Sequence, residues 1–317
     1  MEKTKKTIDS LVENVSKTIV GDNRVIKLAV TAMIAGGHVL FEDMPGTGKT
    51  MLAKALAASV SADFARIQFT PDMLPSDITG LNVFSKKDEE FRFIDGPIMT
   101  NILLADEINR ATPRTQSALL EAMEEKQVTV DGVTRKLSDL FCVFATQNPI
   151  ETAGTFPLPE ASMDRFMMRL SMSNLSIDEE CKLYRRFEGG KQDPIRMLES
   201  VCDMDEIVRI RKLSLQVYIH DDLLKYVADI CGATRSNPLI SCGVSYRAGL
   251  SLVYASKAYA VINARDYVIP EDIKMLAPYV LAHRLICYGA VKTEEKVKIL
   301  NNIVNTITVP QEDFSKK

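Results

Sequence analysis

The sequence predicts an α/β protein, a doubly wound parallel sheet followed by a second, small all-α domain. Three observations carry this. The apolar run His38-Val39-Leu40-Phe41 leads through a glycine-bearing turn, Asp43 to Gly48, into the helix-forming run Met51-Leu52-Ala53-Lys54-Ala55-Leu56-Ala57. A second apolar run, Asn101-Ile102-Leu103-Leu104-Ala105, ends in two carboxylates, Asp106 and Glu107, the pattern of a central parallel strand with chemistry at its carboxyl end. Beyond Pro194 the apolar spacing is helical only.

In chain order, Ile8, Leu11, Val12 and Val15 are spaced for a helix over residues 7–17, and a second helical run over 22–35 ends at Gly36-Gly37. Between them lies Thr18-Ile19-Val20-Gly21. In a nucleotide-binding fold such a segment can pack on an adenine; by pattern alone it is equally a turn between helices. After the glycine turn and its helix, residues 64–69 form a second strand. Pro71, Pro75 and Gly80 then break regular structure. Two β-like runs, 81–84 and 91–94, flank a charged stretch and predict a hairpin inserted before the acid-bearing strand. Thr112 before Pro113 starts a helix, cap then proline, that runs to about Lys126 with Ala118, Leu119, Ala122 and Met123 as its buried stripe. Residues 128–134 alternate around Asp131-Gly132, a second hairpin. Residues 140–148 and 166–172 are further core strands. Residues 189–194 are the best linker, dividing the chain into domains 1–190 and 191–317, the second with helical runs near 204–213, 221–233, 245–264 and 270–277.

Length and composition bound the function. At 317 residues the chain holds one large and one small domain. A net charge of −3 provides no whole-chain cationic field, so nucleic acid is not an expected partner. The six cysteines form no Cys-x-x-Cys pair and read as reduced core residues, and the three histidines lack metal-ligand spacing. No leader-like apolar segment and no run of about eighteen apolar residues occurs, so a cytoplasmic protein without a membrane span is expected.

The glycine turn is a phosphate cradle in the making. Gly46 and Gly48 let backbone N–H groups approach an anion, and the helix start adds unpaired donors and a positive dipole end. Lys49 is placed to reach β and γ phosphates, and the Thr50 hydroxyl to ligate Mg²⁺. Asp106 is expected to hold Mg²⁺ and Glu107 to polarise the attacking water. One departure stands out: the general loop pattern begins with glycine, and this chain has Asp43 there.

Taken together, residues 42–50, 69–80, 104–111, 117–125 and 145–149 resemble the AAA+ ATPases and, within them, the MoxR family, in which an acidic residue at the place of Asp43 is common. The resemblance implies an AAA+ P-loop NTPase core of five strands, the two hairpins facing a central pore or the substrate side, and a helical lid. It implies that ATP, with Mg²⁺, is held by Pro45, Gly46, Thr47, Gly48, Lys49, Thr50 and Met51 together with Asp106, Val20 and Gly21. Asn148 resembles the sensor that orients water near the γ-phosphate, Arg165 the arginine finger given to a neighbouring subunit, and Arg247 the lid's sensor arginine. Arg110 and Arg169 are lesser candidates for contacts between subunits. As partners it implies copies of itself in a ring, a hexamer, a von Willebrand A domain protein acting in trans, and a client protein that is remodelled or receives a cofactor or metal. A DNA motor or loader, a magnesium-chelatase-like subunit and a non-hydrolysing nucleotide switch are the alternative readings.

Overall fold

The computed structural model describes the chain except residues 22, 45, 149–153, 173–174, 189–193, 312–313 and 315–317. In chain order it runs α1 (Glu2–Ser16), α2 (Asn23–Ile34), β1 (Val39–Glu42), α3 (Lys49–Ser59), β2 (Phe64–Gln68), α4 (Pro75–Thr79), β3 (Gly80–Ser85), β4 (Glu90–Asp95) and β5 (Ile102–Asp106). It continues α5 (Pro113–Glu125), β6 (Gln127–Val130), β7 (Val133–Lys136), β8 (Cys142–Gln147), α6 (Glu160–Met163), β9 (Met168–Leu170) and α7 (Ile177–Glu188). The carboxyl-terminal part is α8 (Met204–Leu215), α9 (Asp221–Ser236), β10 (Ile240–Cys242), α10 (Tyr246–Ile262), α11 (Pro270–Leu281), β11 (Ile286–Cys287) and α12 (Thr293–Thr306).

The central sheet has the order β2-β5-β8-β1-β9, and its ladders are parallel. Successive side chains on a strand face opposite ways, and both faces here are buried. Val39, Phe41, Ile102, Leu104, Cys142 and Phe144 join one apolar cluster with α1, α2 and α3. Leu40, Leu103, Ala105, Val143 and Ala145 join a second with α5. Two-sided burial explains why these strands read as continuous apolar runs. Each fully buried large side chain contributes about 1.5–3 kcal/mol.

Both hairpins form as expected, β3 with β4 and β6 with β7. At the second tip Asp131 and Gly132 take φ of 49° and 77°, the two positive angles a two-residue turn of this twist needs. The hairpins lie side by side: the Asn82 amide donates to the Asp131 carboxylate at 2.6 Å, and the Arg135 guanidinium sits 3.6 Å over the Phe93 ring.

Several expectations need correction. The first helix begins at Glu2, because Thr4 is buried with Ile8 and Leu11 and extends the inward stripe in a way an apolar count misses. The last core strand stops at Leu170, where the Met172 N–H turns away to the Asp43 carboxylate. Helix α7 and the terminal α12 were not anticipated. The second part is not purely helical, since β10 and β11 pair as an antiparallel ribbon tying the end of α9 to the segment after α11. The linker expected at 189–194 lies outside the described residues except for Pro194, which opens a short 3-10 turn. Packing also runs across the expected division, for one apolar cluster continues from α1 and α2 into α8, α9, α10 and α11.

Candidate nucleotide site

The site grows from the carboxyl ends of β1, β5 and β8. After β1 the chain turns through Gly46 and Gly48 at φ 85° and 94°, a region that disfavours any Cβ, and Gly48 caps α3. A Cβ at Gly46 would meet nothing within 4 Å, so the loop backbone faces open space. The Lys49 ammonium is folded along this loop, donating to the Met44 carbonyl at 2.7 Å, the Thr47 hydroxyl at 3.1 Å and the Asp43 carbonyl at 3.3 Å. Burial draws its pKa down, while Asp43, Asp106 and Glu107 work to keep the charge. Asp43, the residue that departs from the general loop pattern, is a brace: its carboxylate accepts the Ser171 hydroxyl at 2.6 Å and the Met172 N–H at 2.7 Å, locking the loop to the chain beyond β9.

Across the cavity stand the two acids. Asp106 accepts the Thr146 hydroxyl at 2.6 Å and, on its other oxygen, the Arg66 guanidinium at 2.7 Å. Glu107 is held left-handed at φ 56°, strain of about 1–3 kcal/mol for a residue with a side chain. Its N–H donates to the Thr146 hydroxyl at 2.9 Å, so Thr146 fixes both acids at once. The Glu107 carboxylate accepts the Gln68 amide at 2.7 Å and pairs with Arg110 at 2.8 Å. Thr50, Gln147 and Asn148 line the same cavity of about 490 Å³.

A second cavity of about 520 Å³ adjoins it around Gly46, Thr47, Gly48 and Met51. Its far wall is mostly apolar, built from Ile19, Val20, Gly21, Val25, Met172 and Leu175. The segment left open between an adenine contact and a simple turn therefore lies beside the phosphate loop. The pair of cavities is shaped for a polyphosphate on one side and a flat apolar group on the other.

The donor set suits Mg²⁺. Thr50 and Asp106 offer hard oxygens on one cavity, and among the described residues no group of three or more His, Cys, Asp and Glu forms a metal cage. An ion bound by few protein oxygens, with phosphate and water completing its shell, is the usual arrangement for Mg²⁺.

Not every expected residue converges here. Arg165 and Arg247 line neither cavity; both contact Glu124 at the end of α5, at 2.9 Å and 2.7 Å, around a third cavity. Arg165 pairs with neither Asp164 nor Glu160; its remaining bond is to the Ala161 carbonyl. Arg169 is part-buried and paired with Glu42 at 2.7 Å. Pro45 lies outside the described residues. Sequence reasoning missed Arg66, Gln68 and Thr146. A signal existed for the first two: polar residues two apart on a strand share a face, and Gln68 stands in register with Asp106.

A phosphate loop after β1, a strand β8 between it and the acid-bearing β5, and a helical lid following the sheet together define the AAA+ ATPases. Residues 38–168 match the family described as "ATPase family associated with various cellular activities (AAA)", and residues 232–303 match the AAA lid domain. The chain is 36% identical to Chaperone MoxR1 of Mycobacterium tuberculosis, over 96% of this chain and 83% of that one. It is 47% identical to YeaC of Bacillus subtilis, over 94% and 93% of the two chains. A crystal structure of a Cytophaga hutchinsonii protein superposes with a TM-score of 0.89 at 36% identity, covering 98% of this chain and 96% of that one. This chain belongs to the MoxR family of AAA+ ATPases and is an ATP-hydrolysing enzyme.

Proposed function

We propose that the chain hydrolyses Mg-ATP at sites shared between neighbouring copies in a cytoplasmic ring, a hexamer, and uses the cycle to remodel or assemble a client protein or to insert its cofactor or metal. The observation that carries the shared-site reading is the split of charges: one cavity gathers Lys49, Thr50, Asp106, Glu107 and Asn148, while Arg165 and Arg247 stand together elsewhere. A site that needs those cations draws them from a second copy, as head-to-tail ring contacts allow.

In this mechanism the loop amides and Lys49 bind the β and γ phosphates, and Val20 and Gly21 bound the base. Thr50 and Asp106 would hold Mg²⁺, which supplies charge neutralisation on the phosphates. Glu107 takes a proton from the attacking water, while its Oε2 accepts the Gln68 amide. Asn148 orients the water without competing as a charge. Arg165 of the adjacent copy stabilises charge on the transferring phosphoryl group, and Arg247 carries the nucleotide state to the lid.

Client contact is assigned to the paired hairpins, which expose Leu81, Phe84, Phe91 and Ile94. The family resemblance supports a von Willebrand A domain protein as the partner in trans.

The test is ATPase rate against protein concentration for wild type, Glu107→Gln and Arg165→Ala. Specific activity should rise with concentration, and Arg165→Ala should lose about 10³-fold or more. A rate per chain independent of concentration, with Arg165→Ala unaffected, would sink the shared site.

A further inference from the structure

We propose that Glu124 is a positioning residue that aims Arg165 and Arg247 as one preset pair, so that the finger and the lid cation reach a neighbour's nucleotide together. The inference rests on the shared-site reading above.

The two arginines come from elements far apart in sequence. Arg165 follows α6 in the core, and Arg247 is the second residue of the lid helix α10. Two guanidinium groups on one face repel, and long side chains keep their rotamer freedom until something holds them. Glu124 removes both problems with one carboxylate. Its Oε2 accepts Arg165 Nε at 2.9 Å, and its Oε1 pairs with Arg247 Nη2 at 2.7 Å, so each cation has its own oxygen. Arg165 is fixed a second time by the bond from Nη1 to the Ala161 carbonyl, which leaves its Nη2 edge outside both contacts. Glu124 itself stands on the last turn of α5, whose Leu119, Leu120, Ala122 and Met123 are buried against the sheet, so the carboxylate is carried by a rigid element.

A second stitch joins the same two segments. Asp164, beside Arg165, accepts the Ser245 hydroxyl at 3.1 Å and pairs with the buried Arg284 at 3.0 Å. Ser245 is the N-cap of α10, accepting the Ala248 N–H at 3.1 Å. The finger loop and the start of the lid helix are thus tied at Asp164 and at Glu124, and the lid cannot shift Arg247 without acting on Arg165. The two arginines, Arg247 first, also hold the Glu124 carboxyl below the usual carboxylate range, so it stays charged in neutral solution.

The experiment is subunit complementation. Glu124→Gln keeps shape and helix propensity and removes only the charge. The variant should bind a fluorescent ATP analogue at its own loop as wild type does, while kcat falls at least about tenfold, as expected when groups poised for the transition state lose their aim. Mixed with Glu107→Gln, it should regain activity toward about a quarter of the wild-type rate, the share of interfaces in a random ring that pair an intact Glu107 with an intact arginine face. Glu124→Asp keeps the charge on a shorter arm and should fall between the two; it also decides the matter if Glu124→Gln fails to fold. A rate at or above wild type for either variant means that the acid restrains the arginines, and overturns the proposal. Recovery in the mixture of Arg165→Ala with Glu107→Gln, but none with Glu124→Gln, also overturns it. Failure of the Arg165→Ala mixture overturns the shared site itself.

Discussion

His38, at the start of β1, is buried and engaged through both ring nitrogens. Nδ1 accepts the Val143 N–H at 3.0 Å, which leaves Nε2 to donate to the Met123 carbonyl at 3.2 Å and defines the neutral tautomer. A second proton would take the lone pair that Val143 uses. Burial accordingly lowers the pKa from 6.5 to about 4. The unfolded chain therefore binds more protons between those values, and stability present above pH 6.5 is lost as pH falls toward 4. Between pH 6.5 and 5 the loss from this residue is about 2 kcal/mol. His283, also buried with its pKa lowered well below 6.5, adds in the same direction. Urea midpoints at pH 7 and pH 5 should differ strongly in wild type and less in His38→Gln; equal slopes would remove the assignment. The partners of His38 are 85 and 105 residues away along the chain, beyond the reach of local pattern.

The hairpins show what local pattern does reach. Alternation and the Asp-Gly pair specify their existence and the second turn, because strand pairing across a two-residue loop is a short-range matter. Where they stand is decided at their bases. A Cβ on Gly96 would lie 2.2 Å from the Ile78 carbonyl oxygen and 2.4 Å from the Gly80 nitrogen, and Gly80 itself sits at φ 89°. Gly132, at the other hairpin's tip, has a positive φ but open space around it. Gly96→Ala should cost about 1–3 kcal/mol through backbone clash, with a fall in Tm. Gly132→Ala carries only left-handed strain of about 1–2 kcal/mol. Its Tm should fall less, and the reverse ranking would show that the base of the first hairpin yields freely.

Across the whole molecule the lid and the sheet domain are joined by packing and by cations, among them Arg284 on Asp164 and the part-buried Arg211. The Arg211 guanidinium, on α8, donates to the Asp139 carbonyl and, at 2.8 Å, to the Met33 carbonyl near the end of α2. It thus satisfies the terminus of a helix about 180 residues earlier. With the apolar cluster shared between α1, α2 and α8 to α11, this predicts a single unfolding transition, coincident by circular dichroism and tyrosine fluorescence. Arg211→Ala should lower stability by about 3 kcal/mol through lost charge-assisted bonds and the carbonyls left behind. Separate transitions in wild type would mean that the lid unfolds by itself.

The sequence by itself determined the core strands, the glycine turn that leads to Lys49 and Thr50 at the start of α3, the placing of Asp106 and Glu107 at the end of β5, and both hairpins. Each of these is encoded in a short run of consecutive residues, where backbone preference and the alternation of side chains act directly. Tertiary structure decided what depends on residues meeting across the chain. It made Asp43 a brace for the chain just beyond β9, and it brought Arg66, Gln68 and Thr146 to the two acids. It also set Arg165 and Arg247 together on Glu124, outside the cavity lined by Asp106 and Glu107. Hydrogen bonds and ion pairs of this kind are fixed by the packing of the elements that carry them, and no periodicity in the chain records their partners.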